Sequence, residues 1–186
     1  MKTKTAHDKK KWLSVKNICY CAAFVALSVV TNIFTVYIGV GNSNALSFNY
    51  TVCFLAGAFF GPVVGFLAGA CGDALGWVIN PSGGAFNPAI VVVTGLIGAL
   101  SGFVFMCAKK TGKQDKLFAL TIISFILIFL VCTNLNTVTT YFYYMSAKYS
   151  FGAYYLIRTS KQLIFWAINL VCSLVLVKPF KKLAKV

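Results

Sequence analysis

The sequence predicts an all-α integral membrane protein, a six-transmembrane-helix bundle with both termini on the cytoplasmic side. Three observations carry this. Hydrophobic residues make up 59% of the 186-residue chain and charged residues 11%, with a mean hydropathy of +0.82, too little polar surface to coat a soluble globule. The length allows five or six spans of roughly 20 residues and no soluble domain besides. Finally, the basic residues gather where apolar runs end, in three clusters around Lys9–Lys11, Lys109–Lys116 and Lys178–Lys185.

The apolar runs cover about 15–36, 48–80, 86–108, 117–141 and 153–177. The first is longer than a signal-peptide core and is followed by no clear cleavage site, so it is expected to stay as a helix. The second, taken whole, would reach roughly 50 Å at about 1.5 Å per residue, too long for one span even when tilted. Gly61-Pro62 is the natural break, because glycine permits the turn and proline is tolerated at the first position of a helix. Charge parity supports the split. Three lysine clusters on the cytoplasmic side require even numbers of crossings between them, and splitting the second run gives four before Lys109 and two after Lys116. The expected organisation is a basic cytoplasmic segment 1–14, a six-helix transmembrane domain 15–178, and a basic cytoplasmic tail 179–186.

A net charge of +14 raises nucleic acid as a partner, but such binding needs its cations on one solvated face. Cations parked at membrane exits point to lipid headgroups instead, and no nucleic acid is expected. The seven cysteines are scattered through apolar stretches with no C-x-x-C pair, which predicts no disulfide framework and no metal site. The single histidine, His7, has no nucleophile and orienting group around it, so no catalytic residues and no cofactor are assigned. No phosphate-binding G-x-x-x-x-G-K-[ST] loop is present, and ATP-driven work would need other subunits.

Small residues recur at four-residue spacing: Ala22 and Ala26, Gly57 and Gly61, Gly65 and Gly69, Gly72 and Gly76, Gly98 and Gly102. Such ridges let helix backbones approach closely. Most are expected to serve packing within the bundle, and the ridge on the first helix is free to serve a partner.

Asp73 is the only acidic residue inside a span, roughly 10 Å below the outer exit of the third helix. A carboxylate there costs about 2.5–3.5 kcal/mol on the insertion scale, so it needs a partner or a wet cavity. Arg158 lies at a similar depth in the sixth helix, with Gln162 and Asn169 on its face and Lys161 flanking. Asn134, Asn136, Thr137, Thr139 and Thr140 in the fifth helix and Thr31, Asn32 and Thr35 in the first add polar groups to the same outer half. Aromatic residues, among them Trp77, Phe86, Tyr141, Tyr144 and Tyr154, cluster around it. Two readings stay open: a structural Asp73–Arg158 ion pair, or a cavity open to the outside in which aromatics stack on a flat ligand and the cations suit an anion.

These residues resemble the substrate-binding S components of energy-coupling factor (ECF) vitamin transporters, specifically the folate family. The resemblance covers nearly the whole chain. It rests on Ala22-x-x-x-Ala26, Ala56-Gly57-Ala58-Phe59-Phe60-Gly61-Pro62, Gly72-Asp73-Ala74-Leu75-Gly76, Pro81-Ser82-Gly83, Leu135-Asn136-Thr137, and Arg158 with Lys161-Gln162. It implies capture of a vitamin from outside, beneath the loops joining helices 1 and 2, 3 and 4, and 5 and 6. The implied partners are a membrane-embedded coupling subunit, contacted through Ala22 and Ala26, and two cytoplasmic ATPases. For folate, Asp73 would accept from pterin N–H groups, and Arg158 and Lys161 would neutralise the glutamate carboxylates. Trp77, Ser82, Phe86, Asn87, Asn136, Thr137 and Gln162 complete the implied substrate site. Where the family usually carries an aromatic-Phe-Pro-Gly-Phe stretch, this chain reads Gly84-Ala85-Phe86-Asn87-Pro88. A different small metabolite is the nearest rival to folate, and a packing or regulatory membrane subunit with no ligand site is the alternative from another class.

Overall fold

The computed structural model describes residues 15–38, 44–81, 85–112, 116–148 and 150–184. Ser82 and the basic segment 1–14 lie outside the described residues. Six helices succeed one another: α1 (Val15–Ile33), α2 (Asn49–Phe60), α3 (Pro62–Ile79), α4 (Pro88–Lys110), α5 (Leu117–Met145) and α6 (Phe151–Ala184). Four of them, α3 to α6, are long and apolar enough to cross a membrane, and α1 and α2 supply shorter apolar helices.

The break between α2 and α3 falls where the sequence places it. Gly61 has φ 98°, a left-handed value natural to glycine, and Pro62 opens α3 where its missing N–H costs nothing. α2, α3 and α4 then pack with almost no side chain between them. A Cβ on Gly65 would stand 2.5 Å from the Gly98 carbonyl oxygen, and one on Gly102 would stand 2.5 Å from the Pro62 nitrogen. These pairs run in opposite senses along the chain, so α3 and α4 are antiparallel. Gly72 meets Ser28, and Gly76 meets Asn32, so α1 and α3 are parallel. The small-residue ridges of the middle helices are therefore used up inside the bundle.

Two features depart from the sequence reading. Between α1 and α2, where an irregular loop is expected, β1 (Val36–Ile38) and β2 (Asn44–Leu46) pair antiparallel, with Tyr37 opposite Ala45. Two short strands are marginal alone, but the next residue anchors them. The Ser47 carbonyl accepts from Asn169 Nδ2 at 3.0 Å, and its hydroxyl donates to Thr31 O at 3.4 Å. The sixth helix is also longer than expected, continuing through Pro179 to Ala184, so the segment read as a separate tail is helical through Ala184. The reason is packing: the Phe180 ring lies 6.2 Å from those of Phe24 and Phe59, in an aromatic cluster completed by Tyr20 and Phe60.

The bundle thus has two unlike ends. At one, Lys178 stands 4.6 Å from the Phe118 ring centroid, bringing the cluster at the end of α6 beside the start of α5. At the other lie the hairpin, the α3–α4 connection and the tyrosines of α5 and α6. The polar side chains concentrate toward this second end.

Candidate functional site

α6 builds one wall. Tyr154, Arg158, Gln162, Asn169, Ser173 and Val177 are all buried, a stripe at helical spacing. Arg158 is 5% exposed. Its Nη1 donates to the Tyr154 hydroxyl at 2.7 Å and its Nη2 reaches Asn136 Oδ1 at 3.4 Å, while Nε finds no acceptor. The guanidinium carbon also sits 5.8 Å from the Tyr154 ring centroid. One helical turn on, Gln162 Oε1 is likewise buried without a donor.

α5 builds the second wall and is not uniform. Wide π turns at Phe129–Thr133 and Tyr141–Met145 bracket the polar stretch Asn134–Thr140. Each changes the angular register of the residues beyond it, as π bulges at functional sites commonly do. The result turns Asn136 toward Arg158 and presents Asn134 Oδ1 to the Tyr155 hydroxyl. Thr137 faces the interior, fully buried, with its proton given to the Thr133 carbonyl at 2.8 Å. Lys161 is half-buried and makes no ion pair among the described residues.

Asp73 belongs to a different neighbourhood. Its carboxylate accepts a long 3.5 Å bond from Asn32 Nδ2, which also donates to Gly72 O at 3.1 Å. Asn32 in turn accepts from Asn49 Nδ2 at 3.4 Å, and Asn49 Oδ1 accepts from Ser28 at 2.6 Å. This chain of neutral amides and hydroxyls ties α1, α2 and α3 together around the carboxylate. Asp73 and Arg158 form no ion pair: the structural pairing considered from the sequence is absent, and each charge is met by neutral dipoles. Tyr50 lies within electrostatic reach of both and beside the Asn136 side chain.

The described ends of the α3–α4 connection bring together a further set of the expected site residues. Trp77 and Phe86 pack with ring centroids 5.1 Å apart, and the Tyr144 hydroxyl donates to the Ala85 carbonyl. Asn87 is buried and caps α4 by accepting from Ala89 N at 3.0 Å. Of the residues expected at the site, Asn136 and Arg158 meet, with Gln162 one turn on, and Trp77, Phe86 and Asn87 gather where α3 ends and α4 begins. Asp73 stands apart from Arg158, each within electrostatic reach of Tyr50. The sequence counts Asn32 among the outer polar groups and Tyr50 and Tyr154 among the aromatics around them without assigning them to the site, since a tyrosine near a helix end reads equally well as an interfacial anchor. It does not single out Asn49.

The sequence matches, over residues 12–185, the family described as ECF-type riboflavin transporter, S component. The chain belongs to this family. Among solved structures it is similar to one titled "Crystal structure of FolT bound with folic acid", with a TM-score of 0.71, 21% identity, and coverage of 88% of this chain and 93% of that one. At that identity the likeness speaks for the fold. No curated protein matches. This S component is thus a multi-pass membrane protein that binds a vitamin.

Proposed function

We propose that this S component captures folate, or a folate-like anion, from outside the cell for ATP-driven uptake with a coupling subunit and two ATPases. The buried, carboxylate-free Arg158 carries the reading. A guanidinium keeps its charge at physiological pH, and a buried charge without a counter-ion is costly. Its uncommitted Nε–H, beside Nη2, offers the side-on fork that carboxylates occupy. A ligand bearing carboxylates fits this wall, the Trp77–Phe86 pair offers aromatic surface to a flat ring, and Asp73 with Asn32 offers acceptors to a pterin edge. Ser82, Asn136, Thr137, Lys161 and Gln162 belong to the same proposed surface.

The family's riboflavin description supplies a second reading. Riboflavin is flat but carries no carboxylate, so it would leave Arg158 without an anion. Isothermal titration of ligand-free, detergent-purified protein with each vitamin separates the two. Folate binding tightly and riboflavin weakly is the expected result. The reverse ordering would sink the folate assignment and keep the S component.

The lysine-bearing end is assigned to the cytoplasm by the positive-inside rule, which puts both termini inside and the Asn87 end outside. Ala22 and Ala26 are exposed on α1, unlike the glycines of α2 to α4, which supports their use against the coupling subunit. Changing both to leucine is expected to leave vitamin affinity within about twofold while cutting recovery of coupling and ATPase subunits in co-purification by roughly tenfold or more, since branched side chains block close helix approach. Unchanged recovery would remove these alanines from the interface.

A further inference from the structure

The start of α4 holds a buried amide that its structural duty only half explains. Asn87 is 4% exposed. Its Oδ1 caps the helix through Ala89 N at 3.0 Å, which fixes the plane of the side chain, and its Nδ2 is buried with no hydrogen-bond acceptor. A cap needs only the oxygen. Serine, aspartate or threonine would supply it without burying two N–H groups, and an unsatisfied buried donor is unfavourable.

Its surroundings tie it to residues of the proposed binding site. The residue before it packs on Trp77 of α3. The carbonyl two residues before it is held by the Tyr144 hydroxyl of α5. Val93, six residues into α4 and so about 9 Å deeper, belongs to the cluster that Tyr50 packs against, and Tyr50 is within electrostatic reach of Asp73 and Arg158. The Asn87 side chain and the Tyr144 hydroxyl interact, while Nδ2 has no partner at hydrogen-bond geometry.

We propose that Asn87 is a specificity-determining residue of this transporter subunit, whose Nδ2 donates to a carbonyl-type oxygen of the captured vitamin. The assignment rests on the reading of this space as the site of folate or riboflavin but not on which of the two fills it. Cap and donor are separate atoms of one side chain, so the two roles can be tested apart.

The experiment titrates folate and riboflavin into ligand-free parent, Asn87→Ser, Asn87→Asp and Tyr144→Phe proteins, and records the melting temperature of each empty protein. Both Asn87 variants keep a capping oxygen, and serine adds no charge. The expected result is an empty-protein melting temperature for Asn87→Ser within about 2 °C of the parent's. Its affinity for whichever vitamin the parent binds should fall about ten- to a hundredfold, the range for leaving one buried ligand acceptor unmatched. Asn87→Asp should lose more, because a carboxylate faces the ligand oxygen. Asn87→Ser affinity within twofold of the parent's would overturn the proposal while leaving the site reading intact. So would Tyr144→Phe reproducing the whole loss, since the amide would then act through the tyrosine. Failure of both vitamins to bind the parent would remove the site reading, and this assignment with it.

Discussion

Gly98→Ala is expected to prevent this protein from reaching a monodisperse folded state in detergent, or to lower its melting temperature by about 10 °C or more. A Cβ at this position would lie 2.2 Å from the Gly65 carbonyl oxygen and 2.4 Å from its carbonyl carbon. Both are backbone atoms, so no rotamer change relieves the clash. The converse contact is as tight: a Cβ on Gly57 would stand 1.9 Å from the Gly98 carbonyl oxygen. One methyl group would therefore push α4 away from α3 at the residue on which the α2 backbone also packs. Ordinary overpacking costs about 1–3 kcal/mol, and separating three helix backbones should reach or exceed the top of that range. The control is Gly152→Ala in α6, where an added Cβ meets nothing within 4 Å and alanine is the better helix former. Fluorescence-detected size exclusion and a thermal ramp on both variants give the comparison. A Gly98→Ala protein as stable as the control would mean the backbones are not in contact.

This packing explains which parts of the architecture the sequence discloses. A glycine ridge and a Gly-Pro pair act locally: Gly61 must take its positive φ and Pro62 must start a helix, whatever the rest of the chain does. The number of helices and the break inside the second apolar run come from such signals. The length of α6 does not, because Phe180 extends the helix only by packing on Phe24 and Phe59, residues more than a hundred positions away. The hairpin is hidden for a similar reason. Its strands are three residues each and are pinned by Asn169 and Thr31 through Ser47. Neither strand carries enough periodicity to be seen alone.

The site divides in the same way. Helical periodicity suffices to put Arg158, Gln162 and Asn169 on one buried face. Depth matching also suggests an Asp73–Arg158 pair, and there it misleads. Depth fixes a position along the membrane normal but not around the bundle axis. Asp73 faces Asn32 on α1, while Arg158 faces Asn136 on α5. The π turn before Asn136 that sets its direction has no simple sequence signature, since FLVCT reads as ordinary apolar helix. Asn87 shows another limit: Asn-Pro announces a helix start, and the cap is legible, but the burial of its amide depends on Trp77 and Tyr144 arriving from other helices.

Arg158→Met separates the binding reading from a purely structural one because the two predict opposite signs for stability. In the empty protein the guanidinium is 5% exposed, has no carboxylate partner, and leaves Nε without an acceptor. Replacing a poorly compensated buried charge by an apolar side chain of similar length is often neutral or stabilising. The empty Arg158→Met protein should therefore melt at or above the parent temperature. Its folate affinity should fall by about 30- to 3000-fold, corresponding to the roughly 2–5 kcal/mol lost when one partner of a buried charge pair is removed. Arg158→Lys should recover only part of the loss, because an ammonium supplies charge without the planar fork. If Arg158 instead holds α5 to α6 through Asn136 and Tyr154, the methionine variant must lose stability. Any change in folate affinity would then track the fraction unfolded. Melting curves of the empty proteins and folate titrations of the same preparations distinguish these outcomes. A stable methionine variant with parent-like folate affinity would dismiss Arg158 from the site and remove the main support for an anionic ligand.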